Sequence, residues 1–185
     1  MSPRLFVAVR PPDDVLAAVS EVSERAKRSI VGPRWTTPDQ WHVTLRFLGN
    51  VEEERVDDVR RALERLSAVP PFPLRLGGGG AFPTVTRARV VWLGVTGGSE
   101  ALSGLAAGAN RALVPLGFLP EERAYHPHLT LARLRQPGDV RPAVDAVGDE
   151  AVGRAFTVDE VVLYESRTRR TGAEYEPVGS VALVG

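Results

Sequence analysis

The stretch WHVTLRFLG, Trp41 to Gly49, alternates apolar and polar residues and ends in glycine, the pattern of a strand with one buried face. Side chains alternate along a strand, so His42 and Thr44 share one face while Val43 and Leu45 share the other. The pattern returns 86 positions later as His128-Leu129-Thr130-Leu131, inside AYHPHLTLAR (Ala124 to Arg133). Val9 and Val95 also stand 86 apart, and Phe72 and Phe156 stand 84 apart. A spacing that recurs over most of the chain predicts an internal duplication.

Around these two strands the elements repeat in order. RLFVAV (Arg4 to Val9) reads as a buried strand. PPDDVLAAVSEVSERAKRSI reads as a helix, with acids in its first turn and Arg25, Lys27 and Arg28 near its end, as the helix dipole favours. VEEERVDDVRRALERLSAV is a second amphipathic helix, and FPLRLGGGGAF is strand-like before a flexible glycine turn. ARVVWLGV then reads as a strand, SEALSGLAAGANRALVPLG as a helix behind a serine cap, and HPHLTLAR as a strand. DVRPAVDAVG is a shorter helix, FTVDEVVLYES a strand, and EYEPVGSVALV its partner.

The expected fold is α+β: a bilobal internal duplication, with two mainly antiparallel sheets facing a central cleft and helices on the outer faces. Residues 1–185 form one domain whose pseudo-symmetric lobes are built from repeats of roughly 1–83 and 88–185. A doubly wound parallel sheet would need strands apolar on both faces, which the alternation disfavours.

Composition narrows the chemistry. The 185 residues are 43% hydrophobic and 25% charged, ordinary for a globular protein. With no cysteine, disulfides, thiolate catalysis and cysteine-based zinc sites are excluded. No apolar run approaches a membrane span, and LFVAV is too short for a signal-peptide core, so a cytoplasmic protein is expected. Net charge is zero, leaving no global field to draw in nucleic acid. Lys27 is the only lysine among many arginines. SRTRR (Ser166 to Arg170) is a local basic cluster, although a charge run reads first as a solvated loop.

The two histidines and two threonines suit phosphoryl chemistry. One neutral imidazole takes a proton from water while the other, protonated, gives one to a leaving oxygen. Threonine hydroxyls donate to phosphoryl oxygens between them. In-line displacement needs attacking and leaving groups on opposite sides, which two facing histidines supply without metal or cofactor. A single His-x-Thr on a strand carries little weight. Two copies at the register of a repeat, in a chain with three histidines, carry much more.

HVTLRFLG and HPHLTLAR resemble the paired His-x-Thr-x signatures of the 2H phosphoesterase superfamily. More narrowly, together with RLFVAV and LYESRTRRTGAEYEPV, they resemble the RNA 2',3'-cyclic phosphodiesterases, historically called 2'-5' RNA ligases. The resemblance implies a bilobal fold and hydrolysis of a terminal 2',3'-cyclic phosphate to a 2'-phosphomonoester. It implies His42 as proton donor to the departing 3'-oxygen and His128 as the base, with 2'-5' ligation as the reverse reaction. The partner would be RNA ending in a 2',3'-cyclic phosphate, or a related nucleotide, bound by a monomer. The residues alone do not assign the two roles.

Around this core, Arg46 shares the parity of His42 and Thr44 and is expected to face the groove, with Phe47 in the core. Arg133 lies five residues after His128, so it reaches a phosphate only if the strand bends; a rim salt bridge accounts for it equally well. His126 shares a face with His128, but its repeat counterpart is Gln40, which makes it a substrate contact rather than the proton-transfer residue. Trp35 and Tyr125 have rings able to stack on a base, and core or rim packing accounts for them as well. Gly77 to Gly80 lack the Lys-Ser/Thr of a phosphate-binding P-loop.

Other readings remain. His126, His128 and His42, near Glu121 and Glu122, could hold zinc, but a metal gives no reason for Thr44 and Thr130 to repeat. A non-enzymatic RNA-binding module rests only on scattered arginines, and an aromatic content of 6% is low for a stacking platform. A small cyclic nucleotide or ADP-ribose cyclic phosphate is the alternative substrate.

Overall fold

The computed structural model describes residues 2–170 and 172–185. Its strands are β1 (Arg4–Val9), β2 (Arg34–Trp35), β3 (Val43–Asn50), β4 (Phe72–Phe82), β5 (Ala88–Gly97), β6 (Leu129–Gly138), β7 (Ala151–Val158), β8 (Glu160–Arg169) and β9 (Gly172–Ala182). Its α-helices are α1 (Asp13–Lys27), α2 (Val56–Leu63), α3 (Ser99–Leu113) and α4 (Arg141–Val147). All strand pairs are antiparallel, and the order is β7-β4-β5-β6-β3-β1-β8-β9, with β2 pairing to β6. The expected α+β class holds. The two sheets are halves of one curled sheet, joined where β3 meets β6 at a single residue pair, Val43 opposite Leu129.

Helices α2 and α3 cover the half containing β3, β1, β8 and β9, while α1 and α4 cover the half containing β6, β5, β4 and β7. Val43, Leu45, Leu129 and Leu131 are buried in the main core with Val15, Leu16, Leu102 and Leu105 of the helices, as the alternation requires. Burial of these side chains is the main stabilising term, at about 1.5–3 kcal/mol each. Among the described residues, no helix is long and apolar enough to cross a membrane.

The halves of the sheet do not follow the repeat boundaries. The strand order reads alike from either end when β3 is matched to β6, β1 to β5 and β8 to β4. Each half therefore takes strands from both repeats, and α1 packs on the half that its preceding strand does not belong to. The spacing of Phe72 and Phe156 marks no equivalence: they sit on β4 and β7, neighbours within one half. Alternation specifies which face a residue occupies and leaves open which strand lies beside it.

Three local expectations change. The single strand expected over Phe156 to Ser166 breaks at Asp159, whose carbonyl accepts from Leu183 N at 2.7 Å; β7 and β8 then join opposite halves. Gly77 to Gly80 form no turn: they lie inside β4, which pairs irregularly there with β5. A Cβ on Gly80 would overlap the Trp92 ring, so glycine lets that indole lie against the strand. SRTRR is not a loop as far as Arg169, the end of β8. Arg167 bridges Glu165 and Glu176 at 3.0 and 2.6 Å, and Arg169 pairs with Glu174 at 3.1 Å.

Candidate active site

The concave side of the curled sheet holds a cleft of about 440 Å³ lined by His42, Thr44, His128 and Thr130, together with Arg133, Phe6, Phe47 and Tyr175. The join between the halves brings the two motifs together. With Val43 opposite Leu129, the antiparallel register sets Thr44 against His128 and Thr130 against His42.

Both histidines are oriented in the same way. His42 Nδ1 lies 2.8 Å from the Gln40 carbonyl, and His128 Nδ1 lies 2.7 Å from the His126 carbonyl. A carbonyl oxygen only accepts, so each Nδ1 carries a proton and each Nε2 is left for chemistry. Gln40 ends a short 3-10 turn, Pro38–Gln40, and its side chain donates to the Ala173 carbonyl at 2.6 Å and accepts from Thr37 N at 3.1 Å. The carbonyl that orients His42 is thus tied to the β9 wall of the cleft.

The threonines are backed from behind. Tyr125 donates to the Thr44 carbonyl at 2.9 Å. Thr36 donates to the Thr130 carbonyl at 2.8 Å and accepts from Trp41 Nε1 at 2.8 Å. Neither Thr44 nor Thr130 spends its hydroxyl on a described protein group, so both are free to meet a ligand. Tyr125 and Trp35 pack against the core. Burial pushes the Tyr125 hydroxyl pKa up, which keeps it a donor.

A β-bulge in each motif strand decides which further residues face the cleft. Opposite β1, the partner of Val7 is Arg46 and that of Ala8 is Thr44, so Leu45 is the extra residue. Opposite β5, the partner of Val91 is Ala132 and that of Trp92 is Thr130, so Leu131 is the extra residue. Each bulge reverses the parity of the residues after it. Arg133 therefore turns into the cleft, where strict alternation did not put it. Phe47, expected in the core, also faces the cleft and is 61% exposed. Arg46, expected in the groove, turns away. Its side chain is 10% exposed, 3.2 Å from Glu121 and bonded to the Leu119 carbonyl.

His126 does not line the cleft with His42 and His128. It is exposed and lies 5.2 Å from the Phe82 ring and 5.1 Å from the Trp92 ring, with its backbone rather than its side chain holding His128. Among the described residues, no group of three or more histidine, aspartate or glutamate side chains is placed to hold a metal ion.

The two rings differ in burial. His42 packs between Phe6, at 4.7 Å, and the edge of Tyr175, at 5.1 Å. Burial above all pushes its pKa down to about 4; the Gln40 carbonyl works upward, and the charges of Arg133, His128 and Arg10 work downward. His128, 5.0 Å from Phe82, is also lowered, chiefly by burial, with the His126 carbonyl working upward and the charges of His126 and Arg133 downward. Both shifts favour the neutral imidazole. Alternation carried the sequence reading to the four motif residues. Phe6, Phe47, Gln40, Thr36 and Tyr175 escaped it: a bulge turns Phe47, β1 and the β8–β9 hairpin bring Phe6 and Tyr175, and Thr36 and Gln40 lie in the irregular segment before β3, where alternation does not apply.

Fold and site define a phosphoryl-transfer protein of the two-histidine kind. The chain belongs to the 2'-5' RNA ligase superfamily, whose sequence profile matches residues 7–170. A curated RNA 2',3'-cyclic phosphodiesterase of Aeropyrum pernix is 36% identical over 155 residues, covering 80% of this chain and 86% of that protein. The crystal structure of TT0787 of Thermus thermophilus superposes with a TM-score of 0.84 at 30% identity, covering 98% of each chain. E. coli LigT complexed with 3'-AMP superposes with a TM-score of 0.79 at 29% identity over 100% of each chain.

Proposed function

We propose that this protein is an RNA 2',3'-cyclic phosphodiesterase, hydrolysing the cyclic phosphate at the end of an RNA chain to a 2'-phosphomonoester. The observation that supports this most directly is the matched pair of histidines, each with Nδ1 committed to a backbone carbonyl and Nε2 left to one cleft. His128 Nε2 takes a proton from water as the water oxygen bonds to phosphorus. The P–O3' bond breaks opposite, and His42 Nε2–H delivers a proton to O3'. Thr44 and Thr130 donate to the non-bridging oxygens, and Arg133 stabilises their charge. A ribose 5'-hydroxyl in place of water gives the 2'-5' ligation product by the same proton movements. The proposal takes the protein as a monomer acting in the cytoplasm, without metal or cofactor.

A short RNA with a 2',3'-cyclic end, incubated with EDTA, is expected to yield only the 2'-phosphate. A 3'-phosphate product, or activity that disappears with the chelator, overturns the mechanism. Exclusive action on a small cyclic nucleotide would replace the substrate.

The pH dependence follows from the lowered histidines. A lowered pKa means that protonation requires a lower pH, so the kcat/KM bell, which reports free protein, is expected to centre below pH 6.5. The bound phosphoryl monoanion favours the imidazolium, which moves the kcat bell to higher pH. Superimposed bells centred at or above pH 6.5 would contradict this account.

A further inference from the structure

The cleft that holds His42 and His128 continues past Arg4 and Ser166. It abuts a second hollow of about 780 Å³, and the two share Arg4, Leu5, Ser166 and Thr168. Strand β8 overhangs here: its pairing with β1 stops at Arg4 opposite Ser166, while β8 runs on to Arg169 paired only with β9. The arginines of the second hollow are not equivalent. Arg60, Arg167 and Arg169 each carry a carboxylate partner, at 2.8, 2.6 and 3.1 Å for the closest contacts. Arg4, exposed at the start of β1, has none among the described residues. One uncompensated guanidinium and two hydroxyls therefore stand where the catalytic cleft opens into the larger hollow.

We propose that Arg4, with Ser166 and Thr168, binds the phosphodiester on the 5' side of the cyclic nucleotide, so that the protein prefers an oligonucleotide end to a cyclic mononucleotide. The inference rests on the proposed phosphodiesterase reading and deepens it. Guanidinium and hydroxyl donors are the groups that hold a backbone phosphate without reading its base. Because the neighbouring arginines are neutralised, the site takes one phosphate and is no extended basic track. The gain arrives with the first upstream phosphodiester and does not grow with further length.

The test compares a nucleoside 2',3'-cyclic phosphate with a dinucleotide and a hexanucleotide ending in the same cyclic nucleotide, on wild-type protein and on Arg4→Glu. Wild type is expected to favour both oligonucleotides equally over the mononucleotide. Arg4→Glu is expected to lower kcat/KM about tenfold on the oligonucleotides, to leave the mononucleotide within about twofold, and to flatten the salt dependence by about one phosphate contact. Arg4→Lys should restore most of the loss. If wild type acts on all three substrates and Arg4→Glu changes none of them, or all alike, the inference fails while the phosphodiesterase reading stands. If wild type hydrolyses none of them, both fail.

Discussion

Alanine in place of either His42 or His128 is expected to lower kcat/KM on a cyclic-phosphate RNA end by about a thousandfold or more, whereas His126→Ala stays within about tenfold. General acid or base catalysis by one positioned side chain contributes about a hundred- to ten-thousandfold, and the proposed reaction needs a proton moved on both sides of phosphorus. The two losses should not multiply in the double variant, since removing either group already breaks the concerted transfer. His126 is the discriminating control. Its carbonyl orients His128, and alanine keeps that carbonyl. Each single variant should also lose one limb of the pH bell. Steady-state rates, with circular dichroism to show that the fold persists, check the prediction. A His128→Ala protein retaining a tenth of the activity would sink the assignment.

Arg133→Ala is expected to cost about a hundredfold in kcat/KM and to move the pH bell toward higher pH. The first effect is the loss of a guanidinium beside the phosphoryl oxygens, where charge shifts during displacement. The second comes from the cleft itself, since the Arg133 charge is among the causes that lower both histidines, after burial. Taking that charge away lets both rings hold protons to higher pH. A residue serving only as a rim salt bridge would change stability and leave the bell where it is. Arg133→Lys keeps the charge and loses the planar fork, so it should keep the wild-type pH position with part of the rate.

Arg133 and Arg46 show how far local pattern reaches. Strict alternation sends Arg46 into the groove and Arg133 away from it, and both placements reverse. The cause is the extra residue that follows each motif threonine, Leu45 and Leu131, buried beside its neighbours. Nothing local in TLRF or TLAR announces a bulge. It arises from pairing with β1 and β5, far away in the chain. The same offset of 86 that relates His42 to His128 also relates Phe47 to Arg133. The cleft is therefore symmetric in its His-x-Thr pairs and asymmetric just beyond them, with an aromatic ring on one side and a cation on the other.

The glycine run and the last strands make the same point. GGGG carries the composition of a turn, yet it continues β4, where a Cβ would meet Ala151 at Gly77, Val147 at Gly79 and the Trp92 ring at Gly80. FTVDEVVLYES alternates well enough for one strand, and Asp159 divides it between opposite halves of the sheet.

The α+β class and the four side chains that share the concave face are legible in the chain alone, because side-chain direction along a strand has a period of two and needs no partner to be read. The rest belongs to tertiary structure: which strands lie side by side, that two sheets become one at Val43 and Leu129, and which arginine meets the cleft. Those are outcomes of hydrogen bonding and packing between segments far apart in the chain, and no local pattern encodes them.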